Sequence, residues 1–378
     1  MNITFVGDFC VKDLQGIHFG KKLKQILLNS QINVVNMEGP VHIPSKVPIE
    51  KSGPHLYQDP KVPLFLKKQR FNVISFANNH IMDFGETAME KTKNEFSSST
   101  VLGAGEWSEA YQVKKIKVSS LTIGFLAVTQ YEFGVLDDSF YSNKRGTAWM
   151  RHPCIDELII NAKKEVDYLI ILPHAGLEHF SYPLPELRTL YHHFIRIGAD
   201  AIVASHPHVP QPWEFVDGKP ILYSLGNFCF EALPPQNAFW NDGLVTTLTL
   251  SPPQKKKIQL TVYPVHFNLH TKCIELVNKP FEYLHQINKL FSNNKEQYLV
   301  EINNECLRLE FLYDLLFEES KYIRPSIRKY VYVIWKRIIH KILKRDEEYC
   351  NYAPMINNIR CETHQWVLSR IYELKYKH

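Results

Sequence analysis

Five short apolar runs in this chain each stop on residues that can hold a cation. Asp8 follows ITFVG, Asn36 and Glu38 follow INVV, and Asn79 and His80 follow NVISFAN. His174 follows YLIILP, and His206 and His208 follow AIVAS. Each run has the length and β-branched content of a fully buried strand. In open α/β sheets, ligands bind beyond the carboxyl ends of the strands. If the runs share one core, their ends bring Asp, Glu, Asn and several His to a single rim.

The segments between the runs supply the rest of the architecture. Helices are expected near 19–28, over 62–69 and 86–96, near 155–165 and over 185–197. Strands are expected at 112–118 and 122–128, then in succession at 213–216, 221–225, 244–250 and 258–264. Alternating strands and helices followed by consecutive strands indicate an α/β chain with two packed sheets flanked by helices. The Pro-rich loop from Pro40 to Pro63, which contains Lys51, Gly53 and His55, and the polar stretch before Met150 lack periodicity. Loops of that length are usually functional or mobile. From about Pro280 the pattern is helical to the end. The expected division is a motif-bearing domain over 1–270 and an α-helical region over 280–378.

The formal charge is +5, yet nine Lys or Arg and no acid fall between Lys321 and Arg345, which leaves the remainder net acidic. A nucleic-acid surface is therefore not expected. The seven cysteines are scattered and form no C-x-x-C pair. That argues against a disulfide framework and a zinc knuckle, and favours a reducing compartment. The opening MNITFVGD enters a core strand without a signal-peptide pattern, and no window reaches the roughly 18 apolar residues of a spanning helix. A cytoplasmic protein is expected.

His206-Pro207-His208 is the most specific element. Two imidazoles two residues apart can face two adjacent cations while the proline restricts the backbone. Glu38 is the candidate bridge, because a two-metal site needs an anionic group shared between both ions. Taken singly, Glu38 reads as a solvated turn residue and Gly7-Asp8 as a common turn; the other strand ends reverse that judgement. The Asn79 amide oxygen suits a hard cation, and the adjacent His80 can point at substrate. Asp83 could orient His80 or cap a helix. Asn36 is placed beside the ligands, and Glu178 and His179 are weaker candidates for the rim. Gly226 would permit close backbone approach and Asn227 would support the ligands, although a plain β-turn fits both. No G-x-S-x-G, P-loop or G-x-G-x-x-G is present, so nucleophile-elbow and nucleotide-cradle chemistry have little support.

The ordered set GD, N-x-E, ANNHxxDxG, H-x-G-x-E, GADxIVxxHPHVxQ and YSLGNFxF covers about residues 1–265. It resembles the capsule-synthesis protein CapA family, linked to poly-γ-glutamate synthesis and similar in fold to the calcineurin-like metallophosphoesterases. The resemblance implies a calcineurin-like metallophosphatase sandwich with an appended C-terminal helical region. It also implies two divalent metal ions, manganese, zinc or iron. Asp8, Glu38 and His208 would take one, and Glu38, Asn79, His174 and His206 the other, with His80 facing substrate. The implied activity is that of a phosphatase-like or amide-cleaving hydrolase acting on a surface-polymer precursor. The alternatives are a non-hydrolytic factor that binds an anionic polymer such as polyglutamate or supports a biosynthetic enzyme partner, and a degenerate domain.

Three departures stand out. Cys10 takes the place of a histidine ligand, Asn36-Met37-Glu38 replaces G-D-x-x-D, and Ala175 replaces an aromatic, which would open the site. The membrane anchor typical of the family is not expected here. Residues 321–345 read as a basic amphipathic helix, either packed on the domain or touching an anionic membrane at its inner face.

Overall fold

The runs form strands because their side chains are apolar on both faces, and both faces are covered. The computed structural model describes residues 1–137, 145–278, 281–310 and 353–376. The first run is β1 (Asn2–Cys10), followed by β2 (His18–Phe19), α1 (Lys21–Leu28) and β3 (Ile32–Met37). Beyond the Pro-rich loop come α2 (Val62–Lys68), β4 (Val73–Ser75), α3 (Gly85–Glu95), β5 (Thr100–Leu102), β6 (Ala104–Glu106) and α4 (Trp107–Ala110). Next are β7 (Lys114–Val118), β8 (Leu121–Thr129), β9 (Val135–Leu136), β10 (Arg145–Ala148), α5 (Cys154–Lys163), β11 (Tyr168–His174) and α6 (Pro185–Ile197). The strands β12 (Ala201–Val203), β13 (Trp213–Val216), β14 (Lys219–Leu222) and β15 (Asn227–Phe230) follow. β16 (Asp242–Leu250), β17 (Ile258–Asn268) and β18 (Cys273–Leu276) complete the sheets. Among the described residues beyond them are the helices α7 (Glu282–Asn293), α8 (Lys295–Arg308), α9 (Ala353–Arg360) and α10 (Glu362–Tyr376). The basic segment 321–345 lies outside the described residues.

Two mixed sheets face each other, as the sequence pattern predicts. One runs β2-β18-β17-β16-β1-β3-β4-β5, with β15 also pairing β1. The other runs β13-β14-β12-β11-β8-β7. Between them lies one apolar layer, with Ile3, Phe5, Ile32 and Val34 of the first sheet beside Ile123, Phe125, Ile170 and Leu172 of the second. The outer face of the first sheet is covered by Leu23, Leu27, Leu66 and Met89 from α1, α2 and α3. The second is covered by Ile159 of α5 and Tyr191 of α6, with Tyr298 and Ile302 of α8 and Val367 and Ile371 of α10. Each such side chain contributes about 1.5–3 kcal/mol by leaving water. The polar stretch before Met150 supplies β9 and β10, which with β6 form a small third sheet. Among the described residues no helix is long and apolar enough to cross a membrane.

The strands β1, β3 and β4 run parallel, as do β8, β11 and β12, so their carboxyl ends meet at one rim of the sandwich. At that rim β1 changes partner. Asn2 to Phe5 pair with β16, whereas Asp8 to Cys10 pair with β15, and the register shifts on either side of Asp8. Gly7 makes the exchange possible, because a β-carbon there would overlap the Gly226 carbonyl oxygen. Gly7→Ala must push the two segments apart. It is expected to cost about 1–3 kcal/mol in urea unfolding, the range for overpacking a well-filled site. A loss under about 0.5 kcal/mol, the size of a neutral surface change, would show that the segments separate freely.

Candidate metal centre

The partner exchange in β1 leaves Asp8 buried at the rim with its carboxylate held from two sides. Asn36 Nδ2 donates to Oδ1 at 2.8 Å and the His206 backbone N–H to Oδ2 at 3.1 Å. The Asp8 N–H donates to the Gly226 carbonyl at 3.0 Å. Asn36 Nδ2 also lies 3.2 Å from His174 Nδ1, and Asn36 Oδ1 accepts from Asn78 Nδ2 at 3.1 Å. One residue beyond β3, Glu38 anchors its backbone to the Phe9 carbonyl at 3.0 Å. Its two carboxylate oxygens are buried and have no hydrogen-bond partner among the described residues.

Three imidazoles surround that carboxylate. His174, ending β11, places Nε2 3.6 Å from Glu38 Oε1 and 3.1 Å from Asn79 Oδ1. His206 Nδ1 lies 3.1 Å from the same His174 nitrogen. His208 places Nε2 3.7 Å from Glu38 Oε1 and Nδ1 3.6 Å from Asp8 Oδ2. The turn after β12 holds His206 at φ 105° and His208 at φ 58°, both left-handed. Such backbone costs of order 1–3 kcal/mol and persists where the surroundings over-determine it. The donors form two overlapping groups, Glu38 with His174 and His206, and Asp8 with Glu38 and His208. Within each, all ligand atoms lie within 4.8 Å of one another. Glu38 belongs to both.

The electrostatics of the cluster are one-sided. Burial pushes the Asp8 carboxyl up to about 7, against hydrogen bonds from Asn36, His206 and Ser205. Burial, then the neighbouring Asp8 charge, lifts Glu38 well above the usual carboxylate range. Burial holds His174 and His208 well below the ordinary imidazole value and His206 down to about 4. The imidazoles are therefore neutral at pH 7, with lone pairs available, while the carboxylates lack a counter-charge. Buried charges are tolerated when they are paired or coordinate a metal. Carboxylate, amide oxygen and imidazole together fit a divalent cation of the manganese, iron or zinc kind.

His80 stands beside this set without joining it. Its Nδ1 lies 2.7 Å from Asp83 Oδ2 and 3.0 Å from Lys51 Nζ, and Lys51 also ion-pairs with Asp83. The Leu56 N–H donates to Asp83 Oδ2 at 2.7 Å, and the Ile49 N–H to the Asp83 carbonyl at 2.9 Å. Asp83 thus staples the Pro-rich loop to the His80 turn and caps no helix; α3 begins beyond it, with Phe84 in the cap position. Burial works against ionisation of Asp83, but His80 and Lys51 outweigh it and hold the carboxyl below its ordinary value. Burial and then Lys51 lower His80. His80 and Lys51 line a cleft of about 400 Å³ together with Asn79, Glu132, Glu178 and His179.

Other expected residues fall in different places. Cys10 is buried among Leu56, Phe230 and Trp240, with Sγ 3.8 Å from the Tyr57 carbonyl, and joins neither donor group. Ala175 does not open the cleft; it packs in the core beneath the second sheet. Glu178 is exposed on the cleft wall, 3.8 Å from His179 Nε2. Gly226 has φ 65°, and a β-carbon there would meet Pro210 Cδ at 2.7 Å. Asn227 Oδ1 lies 3.0 Å from His208 Nδ1 and its Nδ2 donates to the Trp240 carbonyl at 2.9 Å. Sequence reasoning passed over Gln130 and Glu132. The signal was available, since LTIGFLAVT is one more apolar run that stops on polar residues.

Residues 2–232 match the family model described as bacterial capsule synthesis protein PGA_cap. The PGA biosynthesis protein CapA of Bacillus subtilis is 34% identical over 205 residues, which is 52% of this chain and 52% of that protein. The capsule biosynthesis protein CapA of Bacillus anthracis is 27% identical over 250 residues, 61% of this chain and 60% of that one. The chain thus spans little more than half the length of these curated relatives. Among solved structures, 5′-nucleotidase from Candida albicans matches at 14% identity with a TM-score of 0.40, over 82% of this chain and 58% of that one.

A cation entering the cluster must displace the proton that Asp8 carries below about pH 7, and the one that burial and Asp8 favour on Glu38. Calorimetric titration with manganese is therefore expected to show weaker binding at pH 6 than at pH 8, with proton release at the lower pH. Each displaced proton contributes about tenfold in apparent affinity per pH unit. Equal affinity at both values would remove the carboxylates from the donor set.

Proposed function

The chain belongs to the bacterial capsule synthesis protein PGA_cap family, and from that premise we propose that it is a dinuclear-metal hydrolase of phosphatase-like type. Its substrate would be a precursor of a surface polymer of the capsule or polyglutamate kind. The observation that carries this reading is the Glu38 carboxylate, buried, without a hydrogen-bond partner and common to both donor groups. Asp8, Glu38 and His208 would hold one ion, and Glu38, Asn79, His174 and His206 the other. When bound, such a pair lowers the pKa of water and neutralises charge developing on a phosphoryl or carbonyl oxygen.

The chain's own residues do the rest. Asp83 and Lys51 occupy Nδ1 of His80, which leaves Nε2 as the nitrogen that meets the leaving group and holds or delivers its proton. Asp83 fixes the ring and ties down the Pro-rich loop, so that loop and proton donor are placed together. The loop residues Ser52, Gly53 and Pro54 form part of the cleft wall.

Purified protein is expected to carry two divalent ions per chain by elemental analysis. It should hydrolyse a member of a panel of phosphomonoesters, phosphodiesters and γ-glutamyl peptides. Glu38→Gln should lose both metal and turnover. His80→Gln should keep the metal and lower kcat by about 10²–10⁴-fold, the usual worth of a general acid. Wild-type protein without divalent metal would overturn the proposal. Two bound ions with no turnover would replace hydrolysis by polymer binding on behalf of a biosynthetic partner.

A further inference from the structure

The two donor groups share Glu38, and Asn36 reaches both, but one of them has a further brace from a distant part of the chain. The Asp8 and His208 side is held by Asn36 of β3 and Asn227 of β15. The His174 and His206 side rests on a chain of contacts that begins in α10, far beyond residue 232. Thr363 Oγ1 donates to Gln130 Oε1 at 2.6 Å, and the Gly176 N–H donates to the same oxygen at 3.0 Å. Since an N–H can only donate, the Gln130 amide has its oxygen on that side and its nitrogen toward the site.

Gln130 Nε2 then donates to Glu132 Oε1 at 2.6 Å and lies 2.9 Å from His206 Nε2. Glu132 Oε2 accepts from Asn79 Nδ2 at 3.0 Å, and Asn79 Oδ1 lies 3.1 Å from His174 Nε2. One hydroxyl of the C-terminal helix therefore stands behind His206, Asn79 and, through Asn79, His174. The His206 ring turns Nδ1 toward His174, so Nε2 is the nitrogen that meets the Gln130 amide at 2.9 Å, with the Glu132 carboxylate behind it at 3.6 Å. Outer partners of this kind fix the orientation of a ligating imidazole.

The brace is built in rather than incidental. Glu362, next to Thr363, is buried, accepts from the Tyr131 N–H at 2.7 Å and is bonded by Trp149 Nε1. It thereby clamps the segment between Gln130 and Glu132. Arg370 ties the same helix to Glu186 of α6 at 2.6 Å and to Asn303 of α8 at 3.2 Å. Gln130 and Thr363 are each 2% exposed.

We propose that α10 is a positioning element for one of the two metal positions. Thr363, acting through Gln130 and Glu132, sets the geometry of the His174, His206 and Asn79 position and leaves the Asp8 and His208 position independent of it. The inference rests on the two-ion reading above.

The test is manganese titration of the full chain, starting from chelated protein and following each equivalent separately. Thr363→Val, close in shape and lacking the hydroxyl, should weaken one equivalent by roughly 10–100-fold, the usual cost of losing an outer hydrogen bond at a metal site. The other equivalent should keep its wild-type affinity, which also shows that the variant is folded. Thr363→Ser should restore both. Two wild-type affinities in Thr363→Val would overturn the inference while leaving the two-ion reading intact. Parallel loss of both equivalents, unrescued by serine, would also overturn it and assign α10 a general structural role. A wild-type protein that binds fewer than two ions would sink the two-ion reading itself.

Discussion

A buried carboxylate with nothing to bond to is the constraint around which this fold is arranged. Both Glu38 oxygens are orphaned in the protein interior, and Asp8 sits beside them. An unpaired buried charge costs several kcal/mol even after relaxation, more than most single packing contacts return. Other costs fall within the same few residues. His206 and His208 adopt left-handed backbone, and β1 breaks its register to bring Asp8 round to Gly226. Local rules broken together at one point mark a functional site, because selection for stability alone would have removed them singly. A divalent cation would offset the charge and give the strained histidines a partner.

The sandwich makes that concentration possible. Parallel strands from two facing sheets end at the same rim, so residues far apart in sequence arrive within a few ångströms without any long loop having to fold precisely. Asp8 and His206, nearly two hundred residues apart, meet through a single backbone hydrogen bond. The inter-sheet layer of Phe5, Val34, Phe125 and Leu172 fixes the separation of the sheets behind them. Side chains on such strands are held more rigidly than on loops, which suits donors that must match a cation to a few tenths of an ångström.

How much of this could be read in advance follows from the same physics. Strands covered on both faces must be apolar throughout, so β1, β3 and β11 announce themselves, and the first polar residue after each is conspicuous. The sheet strands β2 and β5, and the small third sheet, carry no such signature. They are two to four residues long, and Gly105 and Gly146 in β6 and β10 contribute backbone pairing without apolar side chains. Cys10 is a different case, because its position opposite a histidine ligand left its orientation open; the structure places it in the apolar wall with Leu56, Phe230 and Trp240. Gln130 and Glu132 were passed over because Gln is not a typical ligand and Glu132 sits three residues past the strand end. Their importance shows only once Asn79 and His206 are seen to rest on them.

The extent of the motifs and the extent of the working structure therefore differ. The matched segment ends at residue 232, yet β1 needs β16, at 242–250, along its first half. Without that neighbour the central strand of the first sheet would present an open row of backbone donors and acceptors, a hazard that native folds avoid. The same holds at the site. Tyr131 and Trp149, which flank the small third sheet, both bond to Glu362, so a helix that carries none of the candidate donors closes the wall on which two of them rest. The helical character of the C-terminal part was legible, but not the surface it covers, since an apolar stripe must be buried without saying where. The structure packs Val367 and Ile371 of α10 against the second sheet, while Glu362 and Thr363 at its start bond to Tyr131, Trp149 and Gln130 at the rim. The same helix therefore serves the core along its length and the cleft at its end.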